Sequence, residues 1–412
     1  MPFLTSHTHL LVAYSIFLAS YLVFAIGKFP GTKIDRPAAA IIGAALMFAF
    51  RVISPETALH SIDFITIVLL FSMMLMVANL YASGFFDWIT SIFVEHVPPR
   101  HLLPSVIFTS GILSAFLVND IVCLMMAPLV VRVCRETSRP ATPYLLALAT
   151  ASNIGSTATI TGNPQNILIS SLSHISYLDF LARLGPVALI GLFLDWLVLH
   201  FLYFREKQPA ELPQKPAIAS VAVNKRRLVF PLFVTLMVFA GFLMGAPPAL
   251  VAAIGAAILL LNPEFHPREI YGEVDWALLV FFVGLFLIVG AVEQAGIAQQ
   301  LLLIAEHLNL HDPWIFAGIT ALLSNIVSNV PAVMLLKSLA AQYANPHLFW
   351  LMLAMASTLA GNLTITGSVA NIIVVEKVRA EHNISFSEYA RAGVPITLLT
   401  LMVGVLWLKF FG

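Results

Sequence analysis

Residues 152–166 read SNIGSTATITGNPQN and lie between apolar runs of spanning length. Ser152, Asn153, Ser156, Thr157, Thr159, Thr161, Asn163 and Asn166 bring eight hydroxyl or amide side chains into this window, together with Gly155, Gly162 and Pro164. Carbonyl and side-chain oxygens at this density suit a hard cation such as Na+. If a helix restarts at Asn163-Pro164, Asn is a favoured N-cap and Pro suits the first turn, so free amides and a positive dipole end would face an anion. A second window, STLAGNLTITGSVAN at 357–371, repeats the pattern with Ser357, Asn362, Thr366, Gly367, Ser368 and Asn371. Small residues in one such window are explained by close helix packing. Two matched windows, each with Asn on both sides of the break, point to binding.

Two further positions carry polar chemistry into apolar runs. Asn119-Asp120 interrupts the run Leu102–Val133, and Ser328-Asn329 stands at the matching place in Trp314–Leu336. Asp120 is a lone acid in the middle of its run, with Val330 as its counterpart. Intramembrane carboxylates are expensive and usually functional, so a Na+ ligand or a proton carrier is expected. Asp63 and Asp275 begin membrane runs in both halves, where an acid caps a helix start. Asp195 and Glu293 lie near run ends, which suits an interfacial position or a proton relay. Arg183 and Arg391, each followed two residues later by Gly, are expected to orient the loop before the last helix of each half. The histidines show no metal-ligand spacing. Cys123 and Cys134 share one run and form no disulfide framework. No nucleophile-elbow, His-Glu-x-x-His or paired acidic motif is present, so an enzyme is not expected, nor a cofactor beyond a coupling Na+ or H+.

The elements that must position these residues follow from composition. The 412 residues are 59% hydrophobic and 10% charged, against roughly 25% charged in soluble domains. Net charge is zero, which gives no reason to expect nucleic acid. Apolar runs of near-spanning length recur along the whole chain, which predicts an all-α polytopic membrane protein. The first, Leu10–Gly27, is read as a retained helix and not a signal peptide. The halves repeat each other. IIGAAL at 41–46 matches AIGAAI at 253–258, IDF at 62–64 matches VDW at 274–276, and SAFLVNDIVCLMM at 114–126 aligns with SNIVSNVPAVMLL at 324–336. The two polar windows and the pair Arg183/Arg391 complete an ordered series. Residues 8–204 thus form a first repeat and 228–412 a second, joined by a linker at 205–227 that holds six Lys or Arg and reads as cytoplasmic.

Reading Leu102–Val133 and Trp314–Leu336 as re-entrant hairpins, with both termini outside, puts 17 of the 21 Lys and Arg inside, leaving Arg51, Arg183, Lys337 and Lys409. Each repeat then has about five crossings, a hairpin and a broken helix. An odd number of crossings inverts the second repeat relative to the first, the architecture of secondary transporters.

At FLVNDIVCLMMAPL, SNIGSTATITGNPQNILI, SNVPAVMLL and GNLTITGSVANIIV the chain resembles the citrate-transporter-like branch of the ion transporter superfamily. That branch includes divalent anion/sodium symporters, NhaD-type antiporters and arsenite permeases. The resemblance covers nearly the whole chain. It implies a homodimer in a lipid bilayer, here a bacterial inner membrane, with the substrate site at hairpin tips and broken-helix loops and an elevator-like motion. The implied site comprises Asn119, Asp120, Ser152, Asn153, Thr161, Gly162, Asn163, Asn166, Ser328, Asn329, Ser357, Asn362, Thr366, Gly367, Ser368 and Asn371, with Na+ near Asn119, Asp120, Asn153 and Asn329. Dicarboxylate symporters resemble Ser-Asn-Thr at both tips, whereas this chain has Val-Asn-Asp and Ser-Asn-Val. The expected function is secondary transport of a small anion, carboxylate or inorganic oxyanion, coupled to Na+ or H+. A Na+/H+ antiporter and an arsenite efflux permease are the alternatives.

Overall fold

A computed structural model describes residues 6–29, 31–204, 225–296, 308–379 and 381–412. The first half folds as α1 (Ser6–Ile26), α2 (Arg36–Ala49), α3 (Pro55–Ser61), α4 (Phe64–Ala82), α5 (Phe85–His96), α6 (Leu102–Phe116), α7 (Asn119–Glu136), α8 (Ala141–Ser156), α9 (Pro164–Ser173) and α10 (Tyr177–Tyr203). The second contains α11 (Lys225–Leu243), α12 (Pro248–Leu260), α13 (Pro267–Gly272), α14 (Trp276–Gln294), α15 (Pro313–Val327), α16 (Asn329–Leu336), α17 (Pro346–Leu359), α18 (Val369–Val378) and α19 (Phe386–Phe411). Most of the expected linker, 205–224, lies outside the described residues, and Lys225 to Arg227 open α11 rather than closing the linker.

Among the described residues five helices are long and apolar enough to cross a membrane: α4, α10, α11 without its first residue, α14 and α19. Other runs are divided into shorter helices, because polar or proline-bearing breaks interrupt them. Large apolar side chains on the long helices face outward, including Phe193, Phe233, Leu236 and Leu398, as in a protein dissolved in lipid. The acids expected at helix starts do cap them: Asp63 accepts from Ile65 N (3.0 Å) and Thr66 N (3.2 Å), and Asp275 from Leu278 N (2.9 Å). Asp35 caps α2 in the same way through Ala38 N.

The helices pack as two groups. One joins α1, α2, α4, α11, α12 and α14, with α2 against α14 and α4 against α12, so each of these contacts crosses between halves. The other joins α6–α10 with α15–α19; α7 packs on α18, α9 on α16 and α10 on α19. Leu102 and Val106 from the start of α6 line a small apolar cavity with Val130, Val133 and Cys134 from the end of α7. The two arms therefore lie side by side, as a hairpin with its tip at Leu117-Val118.

Two sequence expectations need correction. Arg183 and Arg391 lie inside α10 and α19, not in loops, because Ser176 and Ser385 start those helices earlier by accepting Asp179 N (3.2 Å) and Glu388 N (3.2 Å). Asp195 is not near a helix end in any structural sense: α10 is 27 residues long, so Asp195 falls well inside it and is fully buried. Glu293 pairs with Lys337 at 3.0 Å, linking the end of α14 to the end of the second hairpin.

Candidate functional site

Both polar windows break their helices, slightly later than the sequence suggests. α8 continues to Ser156 and α17 to Leu359, so Ser152, Asn153 and Ser357 are helical. They do not break the helix because each side chain has an outlet, either a tertiary partner or a carbonyl one turn back. Ser152 Oγ receives Ser114 Oγ (2.9 Å) and reaches Asn119 O (3.3 Å), while Ser357 Oγ donates to Leu353 O (2.7 Å). The breaks fall at 157–163 and 360–368, and α9 and α18 restart at Pro164 and Val369.

The loops are braced alike. Asn166 Nδ2 donates to Ser156 O and Thr159 O, both at 3.0 Å, and Asn371 Nδ2 to Gly361 O (2.7 Å) and Thr364 O (3.0 Å). A Cβ on Gly162 would overlap Ser156 backbone, and one on Gly367 would overlap Asn325 and Gly361, so both glycines permit the loop's close return. Thr161 Oγ1 bonds Tyr177 Oη at 3.0 Å.

Asn153 sits at the centre. Its Nδ2 donates to Asn362 Oδ1 (2.8 Å) and Asn371 Oδ1 (2.9 Å), and its Oδ1 accepts Asn119 Nδ2 (3.0 Å) and Ser368 Oγ (2.9 Å). It ties the first hairpin tip to both windows, and its amide is fully used by protein partners. Asn119 Oδ1 is a buried acceptor left without a partner, so it is the better-placed oxygen for a cation. Among the described residues no cluster of His, Cys, Asp and Glu has metal-ligand geometry.

The restarted helices differ at their caps. Asn163 caps α9 by accepting Asn166 N at 2.9 Å. Ser368 makes no such cap, since its hydroxyl is committed to Asn153. The Asp120 carboxylate, from the first hairpin tip, lies near the backbone N–H of Ala370 at this start. Charge at a helix N-terminus is stabilised by the dipole. At the other tip Ser328 holds φ +78°, uncommon for a residue with a side chain. Asn329, in the amide orientation that satisfies its neighbours, donates to Ser357 O and Gly367 O (both 3.2 Å) and accepts Gln165 Nε2 (3.1 Å).

All four features open on one cavity of about 620 Å³ at the seam between the helix groups. The second group contributes Asn119, Asp120, Pro164, Gln165, Ser328, Asn329, Val330, Thr366, Ser368, Val369 and Ile372. The first contributes the α1 end with Lys28, the α2 start with Asp35 and Arg36, and Asp275 and Phe281 of α14. Of the residues singled out in the sequence, Asn119, Asp120, Ser328, Asn329, Thr366 and Ser368 line the cavity. Ser152, Asn153, Thr161, Gly162, Asn163, Asn166, Ser357, Asn362, Gly367 and Asn371 form the buried frame behind it. Sequence reasoning missed Lys28, Asp35, Arg36 and Gln165, and read Asp275 as a cap alone. Charged residues flanking a span, as Lys28 and Arg36 do, were a usable signal.

The family model described as citrate transporter matches residues 21–352. An uncharacterized transporter of Mycobacterium tuberculosis is 30% identical over 97% of this chain and 99% of its own length. A silicon efflux transporter of Oryza sativa subsp. japonica is 29% identical, covering 96% of each chain, and a putative transporter arsB of Dictyostelium discoideum is 28% identical over 95% of this chain and 90% of its own. In fold, the chain is similar to the YdaH transporter of Alcanivorax borkumensis, with TM-score 0.58 at 12% identity and 98% coverage of both chains. MtrF of Neisseria gonorrhoeae, described as illuminating a class of antimetabolite efflux pumps, gives 0.57 at 9% identity, covering 98% of this chain and 94% of its own.

Proposed function

Because the chain belongs to the citrate transporter family, and is accordingly an integral membrane transporter and not an enzyme, we propose that it carries a small anion, carboxylate or inorganic oxyanion, by secondary active transport coupled to Na+ or H+. The observation that carries this reading is the convergence of both hairpin tips and both restarted helix starts on one cavity between two helix groups. The anion sits at the start of α9, beside Gln165, where amides and dipole favour negative charge. Lys28 and Arg36 at the mouth raise its local concentration. The coupling cation binds at Asp120 and Asn119 Oδ1, its charge offsetting the carboxylate.

Transport follows if the second group, with the repeats inverted, slides against the first and carries the site across the membrane. The α1–α2 loop and the start of α14 line the cavity on the Lys/Arg-rich side, which supports reading this conformation as inward-facing. Termini outside, a bacterial inner membrane and a homodimer belong to the same proposal.

A second reading is favoured by the Asp120–Ala370 contact. One of the two helix starts already holds a carboxylate, so the cavity offers a single dipole end to substrate. A neutral or singly charged oxyacid suits that better than a tricarboxylate, which agrees with the silicon-efflux and arsB-named relatives.

The test is thermal unfolding of the purified protein in detergent, titrated with Na+, carboxylates, inorganic oxyanions, silicic acid and arsenite, singly and together. A ligand of the native state stabilises by RT ln(1 + [L]/Kd). Stabilisation by one anion or oxyacid, enhanced by Na+ or acid pH, is the expected result. A response to Na+ or pH alone would replace the anion site with a cation/proton antiporter centred on Asp120.

A further inference from the structure

Asp195 takes no part in the cavity. It is 0% exposed, and none of the ion pairs among the described residues involves it; the nearest on its own helix, Arg183–Asp179 and His347–Asp179, lie toward the α10 start. Oδ1 meets Thr150 Oγ1 at 2.9 Å, and Oδ2 is buried without a partner. An ionised carboxylate in this place would be an uncompensated buried charge, among the most costly arrangements a protein interior can hold.

The hydrogen bonds at Thr150 make the same point independently. Thr150 Oγ1 has two acceptors at short range, Leu146 O at 2.8 Å and Asp195 Oδ1 at 2.9 Å, with Ala147 O more distant at 3.5 Å, yet a hydroxyl has one hydrogen. Both contacts are satisfied together only when the acid carries the second proton: Asp195 donates to Thr150, and Thr150 donates to Leu146 O.

The group is also wired to the cavity. The Thr150 carbonyl accepts Asn362 Nδ2 at 3.0 Å, Asn362 Oδ1 accepts Asn153 Nδ2 at 2.8 Å, and Asn153 Oδ1 accepts Asn119 Nδ2 at 3.0 Å, one residue from Asp120. Tyr389 of α19 stands within electrostatic range of Asp195, and its buried Oη, which has Asn371 nearby, has no hydrogen-bond partner at bonding distance. In the repeat alignment anchored on Arg183/Arg391, Asp195 falls on Val403, just as Asp120 falls on Val330. Both intramembrane acids thus belong to the first repeat and have valine counterparts in the second.

We propose that Asp195 is a proton-binding site of the transport cycle, a second ionisable centre that reports to the first hairpin tip through Thr150, Asn362 and Asn153. Deprotonation would draw the Thr150 hydrogen from Leu146 O to the carboxylate, loosening the α8 turn whose carbonyl holds Asn362. Other ionisable groups on the elements packed against α10 are remote or engaged: α6 has none, Arg227 of α11 pairs with Glu264, His347 of α17 pairs with Asp179, and Glu388 and Arg391 of α19 stand near Tyr203. Tyr144 of α8 packs on Phe204, and the Cys123 thiol of α7 stands within electrostatic range of Tyr389. What the proton drives rests on the transport reading; the binding of the proton does not.

The experiment is an infrared difference titration of the full-length protein without substrate, from acid to alkaline pH, beside Asp195→Asn, which keeps the shape and a hydrogen bond to Thr150. The expected result is a protonated-carboxyl band that disappears on alkalinisation and is missing from the variant. In proteoliposomes Asp195→Asn loses the wild-type pH dependence while downhill flux persists. Thr150→Val, which keeps the acid and removes its hydroxyl partner, displaces the midpoint of the band, so the proposal stays testable if Asp195→Asn folds poorly. A band that survives in Asp195→Asn, a carboxyl that never titrates, or a pH profile of Asp195→Asn coinciding with wild type overturns it.

Discussion

At both breaks an asparagine of the restarted helix reaches back across the loop, Asn166 to the carbonyls of residues 156 and 159 and Asn371 to those of 361 and 364. The partners between the two windows also correspond: Thr358 contacts Asn163 and Asn166 from one side, and Asn153 contacts Ser368 and Asn371 from the other. The likeness ends at one position. Where the first hairpin presents Asp120 to the start of α18, the second presents Val330 toward the start of α9, with Gln165 between. A shared frame can therefore hold two helix starts in the same geometry while one is filled by the protein's own carboxylate and the other faces the cavity. In our reading the first serves coupling and the second serves substrate.

The largest effect should come from destroying the frame common to both sites. Asn153→Ala removes four hydrogen bonds and strands buried partners at the first hairpin tip and in the second window, each costing about 1–3 kcal/mol. We expect the unfolding midpoint to fall sharply and transport to vanish; a variant with wild-type thermal stability would mean that the two windows are held independently. Next, Val330→Asp makes the second tip resemble the first. A carboxylate at the start of α9 should compete with the anion and raise KM about tenfold, equivalent to ~1.4 kcal/mol, with kcat less affected. Unchanged KM would remove the substrate from that helix start.

Gln165→Ala is a finer probe of the same end. It loses the contacts to Thr358 and Asn329, both at 3.1 Å, and should weaken substrate binding several-fold, with a stability loss of about 1 kcal/mol. The smallest effect is expected at Glu293–Lys337, which fastens the second hairpin to the other helix group. Both side chains are partly exposed, so Lys337→Met should change stability by no more than about 1 kcal/mol. It should nevertheless speed exchange between inward- and outward-open forms, read by cysteine accessibility across the seam.

Much of this was legible in the sequence because matching segments of the two halves recur in the same order, and because a polar window in an apolar run has few physical explanations. Asn119, Asp120, Ser328, Asn329 and Ser368 were found by type and place alone. The cavity's other wall was not. Lys28, Arg36 and Asp275 look like ordinary span-flanking charges until α1, α2 and α14 fold against the hairpin tips, contacts made between residues about 50 to 300 positions apart. The helix ends were misjudged for local reasons. Ser152 and Asn153 look like breakers when read singly, yet their side chains bond elsewhere. Ser176-x-x-Asp179 and Ser385-x-x-Glu388 carry the capping pattern in plain view. Asp195 was read as lying near a run end, whereas the helix that carries it extends from Tyr177 to Tyr203 and buries it.

The central claim is that Asp120 couples ion binding to substrate movement without being needed for the fold. It is tested most directly by measuring concentrative uptake of the stabilising substrate in proteoliposomes under an imposed Na+ or proton gradient, with wild type and Asp120→Asn side by side. The wild type should accumulate substrate; the variant, folded and able to equilibrate it, should not respond to the gradient. Gradient-driven accumulation by Asp120→Asn at the wild-type level would contradict the account.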